Sequence, residues 1–412
     1  MNKIIVDVTQ LMRWQGRLTG VPRVEYELAT RFADEQNVVF VDWHGYDFCE
    51  INLLEALNRR DSNLEPQAKV ATARQSNNFR QVVGKIPYTQ KVYGRFKKAN
   101  IVSKHQKIDN TIIQPQSGDT LFISQGLWSD DAYIQNIIQL HQKGTKIVQV
   151  SYDMLPIVTP QYSGHSTDWL INYASNIYPI CDLVLSISKH TEKDIKKWLN
   201  EMGLKPPKIK VFRLGEDFKL AKSSRPDSTD SPLKKDNFIL CVGTIEARKN
   251  HTLLYYVYKQ AISKGIDLPK IVIVGRRGWR TENIVDLITS DPEVKEKFII
   301  LENASDEELA WLYGNCLFTV YPSFYEGWGL PIAESLYYGV PCLCSNTSSM
   351  PEVAGDLVGY FNPTSPDEAL TQIVNLLEPK NLEQAKVRAK QYKTTSWNDS
   401  FEQVKRYIIR ET

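Results

Sequence analysis

Residues 321–336 read Tyr-Pro-Ser-Phe-Tyr-Glu-Gly-Trp-Gly-Leu-Pro-Ile-Ala-Glu-Ser-Leu, and the reading of this stretch decides the fold. Leu317–Tyr321 is apolar and aromatic enough for a buried strand. Gly327 and Gly329 then allow close backbone approach, and Pro331 and Leu330 suit the first turn of a helix ending near Gly339. A strand, a glycine turn and a helix make an anion site, because the free N–H groups and positive end of the helix face whatever the loop holds. Glu326 and Glu334 flank that turn with seven residues between them. Carboxylates would repel a phosphate, so they are better suited to accept hydrogen bonds from hydroxyls on either side of it. That combination describes a nucleotide sugar, with one glutamate on the sugar hydroxyls and the other on the ribose diol. The competing reading is an ordinary helix start with Glu334 solvated. For the glutamates alone the two readings balance; the glycines and the proline favour the first.

Working outward, 412 residues with 42% hydrophobic and 24% charged side chains suffice for two domains with proper cores. A net charge of +2 excludes a globally acidic or basic surface, so a charged partner must meet a local patch. No uninterrupted apolar run approaches the roughly 18 residues of a spanning helix. Met1-Asn2-Lys3 leads directly into strand-like Ile4–Val8 with no small-residue cleavage site, so the expectation is a cytoplasmic protein. Cys49, Cys181, Cys241, Cys316, Cys342 and Cys344 lie mostly in apolar segments without zinc-ligand spacing, and read as core thiols.

Strand candidates recur at Phe238–Val242, Ile271–Val274, Phe298–Leu301, Leu317–Tyr321 and Cys342–Ser345, with helical patterns such as His251–Lys264 and Ser305–Tyr313 between them. The first half repeats the alternation at Lys3–Val8, Val38–Val41, Thr120–Ile123, Lys146–Val150, Leu183–Ile187 and Lys208–Phe212. Alternating strands and helices imply α/β architecture: two Rossmann-like domains with parallel sheets facing a central cleft. The expected boundaries are 1–221 for an acceptor domain, 222–237 for a Ser/Pro/Lys-rich linker and 238–395 for a nucleotide-sugar domain. A final helix over 396–412, with Trp397, Phe401, Val404 and Ile408 at helical spacing, is expected to pack back on the amino-terminal domain.

After Phe238–Val242 comes Gly-Thr-Ile-Glu-Ala-Arg-Lys-Asn, residues 243–250. Arg248 and Lys249 thus stand at a strand-to-helix turn, where they can neutralise a pyrophosphate; a solvated basic turn is an equally weighted reading. Near the amino end, Gly16-Arg17-Leu18-Thr19-Gly20 opens a second helix, and Gly20 is placed to close over the phosphates from the opposite domain. Asp153 follows the strand Lys146–Val150 and either orients an attacking hydroxyl or braces its own loop. There is no Gly-x-Gly-x-x-Gly opening the first helix, no Walker motif, no Gly-x-Ser-x-Gly elbow and no His-Glu-x-x-His. With no Asp-x-Asp closing a strand, neither a metal nor another cofactor is expected.

From Pro66 to Ile108 there is no Asp or Glu, while Lys69, Arg80, Lys91, Lys97 and Lys98 accumulate among Phe79, Tyr88 and Phe96. Each basic group near an anionic leaflet is worth about 1 kcal/mol, so residues 66–108 are a candidate membrane-docking tract, with a solvated insertion close behind. No base-reading module accompanies them, and nucleic acid is not expected as a partner.

Together these motifs resemble retaining glycosyltransferase family four, of the GT-B fold, over most of the chain and most strongly from Phe238 to Phe361. The family's paired glutamates fall on Glu326 and Glu334, and its phosphate-binding Arg-Lys on Arg248 and Lys249. Thr19–Arg23 and Ser345–Val353 resemble the bacterial branch that builds O-antigen, capsule and exopolysaccharide, often from mannose donors. Thr244 stands where many members carry arginine, and Tyr152 where histidine is common. The resemblance implies transfer from a nucleotide-diphosphate sugar, GDP-mannose first and a UDP-sugar second, to a glycan or lipid-linked acceptor. It also implies retention by a front-face route without a dedicated base, while the basic tract 66–108 adds the expectation of peripheral attachment to the inner face of the plasma membrane beside a cytoplasmic location. Thr244, Gly327, Trp328, Gly329 and Leu330 join Gly20, Arg248, Lys249, Glu326 and Glu334 as expected donor contacts. Glu326, Arg248, Lys249 and Asp153 are the expected catalytic set. A GT-B epimerase or phosphorylase, or a non-catalytic nucleotide-sugar-binding protein, would share these motifs.

Overall fold

A computed structural model describes residues 2–15, 18, 20–58, 111–163, 167–217, 233–235, 237–278 and 281–412. The tract 66–108 and most of the linker 222–237 lie outside the described residues, as do Gly16, Arg17, Thr19 and Trp279.

Two sheets organise the chain. The first contains β1 (Ile4–Asp7), β2 (Val38–Trp43), β3 (Phe48–Ile51), β4 (Thr120–Ile123), β5 (Lys146–Ser151), β6 (Leu183–Ser186) and β7 (Ile209–Val211), ordered β3-β2-β1-β4-β5-β6-β7. The second contains β8 (Phe238–Val242), β9 (Lys270–Val274), β10 (Phe298–Leu301), β11 (Thr319–Tyr321), β12 (Cys342–Ser345) and β13 (Gly359–Phe361), ordered β10-β9-β8-β11-β12-β13. Both orders reverse direction once, β1 beside β4 in the first sheet and β8 beside β11 in the second. The central strands are short apolar runs such as Thr-Leu-Phe-Ile in β4 and Cys-Leu-Cys-Ser in β12, buried at every position because helices cover both faces. All six cysteines are free and buried, as core thiols should be.

Two strands escape the sequence reading. β3 pairs antiparallel with β2, from Phe40 opposite Ile51 to Trp43 opposite Phe48, so the first sheet is not wholly parallel. A four-residue edge strand joined by a tight turn needs no crossover helix and therefore leaves no alternation to detect. β13 is only Gly-Tyr-Phe and gains its place from pairing with β12.

The last helix, Trp397–Glu411, opens on a Ser396/Asp399 capping box and leaves the second sheet for the first. Phe401 meets Phe32 edge to face at 4.9 Å, Lys405 pairs with Glu35 at 2.7 Å, and Glu411 reaches Lys208 and Lys210 beside β7. The helix thus fastens the two ends of the chain to one another.

Candidate functional site

The sheets meet through their carboxyl edges. From the first come Tyr152 and Asp153 after β5, Ser188 to Asp194 after β6, and Arg213 to Glu216 after β7; from the second come Phe324 to Trp328 after β11 and Thr347 to Glu352 after β12. Ligands of open α/β sheets bind at such edges where the strand order reverses. The turn after β8 and the loop after β11 are the two sides of that reversal in the second sheet.

After β8 the chain makes a tight turn over Ala247–Lys249, Asn250 takes φ 57°, and the helix His251–Ser263 begins. Asparagine is among the few side chains that tolerate this left-handed conformation. Its amide donates to the carbonyls of Pro322 (3.1 Å) and Pro363 (2.8 Å), and Phe324 N–H donates to the Arg248 carbonyl at 2.9 Å. The basic turn is therefore pinned against the β11 exit, so its cations face inward instead of into solvent.

Arg248 Nη1 lies 2.6 Å from Glu326 Oε1 and donates to the Tyr325 carbonyl at 2.9 Å, while Nη2 reaches Glu246 Oε1 at 2.6 Å. Lys249 Nζ lies 2.7 Å from the same Glu326 oxygen, donates to Tyr321 Oη at 2.5 Å and sits 4.8 Å above that ring. Burial alone would raise Glu326, but Arg248 and Lys249 overcome it and hold the carboxyl at about 2. Glu326 is thus an anion throughout the physiological range. Burial pulls Lys249 downward, with Glu326 opposing the shift and Arg248 adding to it. Two cations and the carboxylates Glu246 and Glu326 balance in charge.

Glu326 N–H donates to Ser348 Oγ at 2.9 Å, and Ser349 Oγ donates to the carbonyls of Glu326 (2.8 Å) and Trp328 (2.7 Å). These serines after β12 hold the glycine loop from below. At Gly327 a methyl group would stand 2.2 Å from the Tyr152 carbonyl of the opposite domain, so only glycine admits that approach. Gly329, with φ 126°, caps the helix Leu330–Tyr337, in which Pro331 occupies the first turn. The Trp328 indole is buried across the domain junction, donating to Glu216 Oε1 at 3.2 Å beneath the Arg213 guanidinium. Leu330 packs into the same shared core.

Glu334, half-buried, accepts a hydrogen bond from Tyr313 Oη at 2.8 Å; burial raises it, and the charges of Arg23 and Lys249 oppose that rise. The charge of Lys249 is thus felt at Glu334 as well as at Glu326, although the hydrogen-bond partner of Glu334 is Tyr313. Arg23 belongs to the helix Val21–Phe32 that Gly20 caps with φ 58°; its guanidinium donates to the Asp217 carbonyl at 3.0 Å and lies over the Trp397 ring of the last helix. Asp153 Oδ1 accepts from Leu155 N–H at 3.0 Å, bracing its loop; burial raises its carboxyl, and the charges of Arg248 and Glu326 both reach it. Thr244 is exposed beside the loop that joins Ile245 N–H to the Arg276 carbonyl. Tyr152 points away, its hydroxyl 3.0 Å from Ser124 Oγ in the domain interior.

Sequence reasoning named the charged residues but gave no role to Glu246, Asn250, Tyr321, Tyr325, Ser348 or Ser349. The asparagine closing the basic turn carried a signal, since that residue type favours positive φ. The serines, contributed by a neighbouring strand, carried none.

Two carboxyl edges with reversed strand order, clasped over a basic turn and a glycine loop, define the GT-B class of fold. In agreement, the chain superposes on Anabaena HepE, solved in complex with UDP and glucose, with a TM-score of 0.61 over 99% of this chain and 100% of that one, at 13% identity. Residues 224–394 match the family described as glycosyl transferases group 1. The serotype-specific mannosyltransferase WbdA of Escherichia coli is 27% identical over 248 residues, covering 57% of this chain and 30% of WbdA. The O-antigen chain mannosyltransferase B of Escherichia coli is 36% identical over 142 residues, covering 34% of this chain and 37% of that protein. The chain thus spans about a third of the length of these curated relatives.

Proposed function

We propose that the chain is a retaining, metal-independent glycosyltransferase that moves a sugar from a nucleotide-diphosphate donor to a hydroxyl of a glycan or lipid-linked acceptor in surface polysaccharide synthesis. GDP-mannose is the first donor, on the strength of the mannosyltransferase relatives, and a UDP-sugar the second, because the HepE fold neighbour holds UDP. The observation that carries the reading is the triad of Arg248, Lys249 and Glu326 at the strand-order reversal, beside a helix start.

In this reading the two cations and the amides of Gly327 to Leu330 meet negative charge growing on the leaving diphosphate. Glu326 exchanges its ion pairs for the hydroxyls of the donor sugar as the phosphates take up Arg248 and Lys249. Glu334 accepts from the ribose diol. Asp153 faces the same space from the acceptor side and orients the incoming hydroxyl, whose proton passes to the departing phosphate oxygen as the new glycosidic bond forms on the face the leaving group vacates.

Arg248→Ala and Lys249→Ala are each expected to lower turnover by roughly 10²–10³-fold, the scale for losing a donor to transition-state charge. The measurement is release of GDP or UDP from a donor panel, with lipid extracts as acceptor and with and without a chelator. Wild-type rates in both variants would remove the two residues from the mechanism. Nucleotide release without any acceptor, accompanied by an epimerised sugar, would make the chain an epimerase; turnover that demands inorganic phosphate would make it a phosphorylase.

A further inference from the structure

In the first sheet β4 and β5 are neighbours, and the segments beyond their carboxyl ends each carry a tryptophan. Trp128 lies between β4 and the helix Asp131–Gln142; Trp169 lies in the first turn of the helix Asp168–Ile177, which follows β5. Their rings stack with centroids 5.5 Å apart and planes 6° from parallel. Trp128 packs against the domain core and Trp169 lies on Trp128, both rings half-buried, so the pair presents indole surface to solvent.

Three residues beyond each tryptophan stands an exposed polar side chain. Asn172 Nδ2 donates to Asp131 Oδ1 at 3.0 Å, and Asn176 Nδ2 donates to Asn172 Oδ1 at 3.1 Å, which fixes the way the Asn172 amide faces. Asp130 caps the helix that Asp131 begins, accepting from Tyr133 N–H at 3.0 Å and from Trp43 Nε1 at 3.0 Å, so Asp131, three residues after Trp128, starts from a braced turn. A flat apolar face next to a carboxylate and an oriented amide is what a pyranose ring requires. Its C–H face covers the indole, while its hydroxyls donate to the carboxylate and bond to the amide. Asp153, within reach of the charges of Arg248 and Glu326, stands on this same carboxyl edge.

We propose, resting on the glycosyltransferase reading, that the Trp128–Trp169 stack with Asp131 and Asn172 binds a pyranose unit of the acceptor glycan. The platform belongs to the first domain, whereas Arg248, Lys249, Glu326 and Glu334 belong to the second. Loss of its outer ring should weaken acceptor binding and leave the nucleotide untouched.

The test measures binding to the intact chain of a panel of manno-, gluco- and galacto-oligosaccharides by ligand-observed NMR, with GDP and UDP affinity measured in parallel by calorimetry. At least one oligosaccharide should bind wild type, Trp169→Ala should weaken it about tenfold, the worth of an aromatic contact of roughly 1.4 kcal/mol, and Trp169→Tyr should recover most of the loss. Asn172→Ala, a change at an exposed position that leaves folding intact, should weaken it in the same direction. Nucleotide affinity should stay within about twofold in all three variants. Oligosaccharide affinity unchanged in Trp169→Ala, a parallel fall in nucleotide affinity, or no oligosaccharide binding by wild type would each overturn the platform. Nucleotide binding that persists while the platform fails leaves the donor reading standing; platform binding without any nucleotide affinity would support the sugar site and sink the donor reading.

Discussion

Glu326 concentrates the electrostatics of the molecule in one carboxylate, shared at 2.6 and 2.7 Å by two cations. Its folded value of about 2 lies below the ordinary 4.5, so it contributes stability that is complete above about 4.5 and lost as pH falls through about 2. Chemical denaturation of wild type and Glu326→Gln should therefore show a stability gap near neutrality that narrows as pH is lowered towards 2. A gap that stays constant would mean that the carboxylate gains nothing from Arg248 and Lys249. Glu326→Ala should cost more, about 3–5 kcal/mol, because Lys249 loses its carboxylate and Arg248 keeps only Glu246. At this scale the sequence named the charges that meet here, Arg248, Lys249 and Glu326. It did not reveal that the acid closes on the bases, because Lys249 and Glu326 are brought together across two adjacent strands.

At the scale of elements, the site is a basic turn locked to a glycine loop. Asn250→Ala removes two buried hydrogen bonds and imposes a side chain ill suited to φ 57°; a loss of about 2–4 kcal/mol is expected, and Asn250→Gly should lose less because the backbone stays relaxed. Equal losses would show that the backbone conformation is not part of the cost. Gly327→Ala should act differently, since the added methyl meets the Tyr152 carbonyl of the other domain and not its own. Turnover should collapse while far-ultraviolet circular dichroism remains that of wild type; unaltered turnover would show that the two edges need not approach this closely. Long apolar strands and capped helices were legible from periodicity alone, as Phe238–Val242 and Ser305 with Asp306–Asn315 illustrate. β3 and β13 were not, because each is a short, partly exposed edge strand that owes its place to one partner strand.

Across the whole molecule the two domains are clamped by contacts that each span the junction. Glu352, after β12, accepts from the N–H groups of Lys189 (2.8 Å) and His190 (2.7 Å), capping the helix Lys189–Glu201 of the other domain with a carboxylate. Tyr325 donates to Asp194 Oδ2 at 2.6 Å while its carbonyl accepts from Arg248, and Tyr162 stacks on Phe324 at 5.0 Å. Glu352→Ala should open the domains, read as a larger radius of gyration in X-ray scattering and a lower kcat; a scattering curve identical to wild type would exclude Glu352 as a clamp. Removal of residues 396–412 should leave an aggregating protein, since the helix covers Phe32 and the strand face beside β7.

By itself the sequence determined the alternation of strands and helices, the glycine turn between Glu326 and Glu334, and the adjacent cations Arg248 and Lys249, all properties of neighbours along the chain. Only the tertiary structure decided that β8 lies beside β11, that Ser348 and Ser349 support the loop, and that Glu352 closes one domain on the other. Those contacts depend on strand order and on the meeting of two sheet edges, and chain-local periodicity holds no record of either.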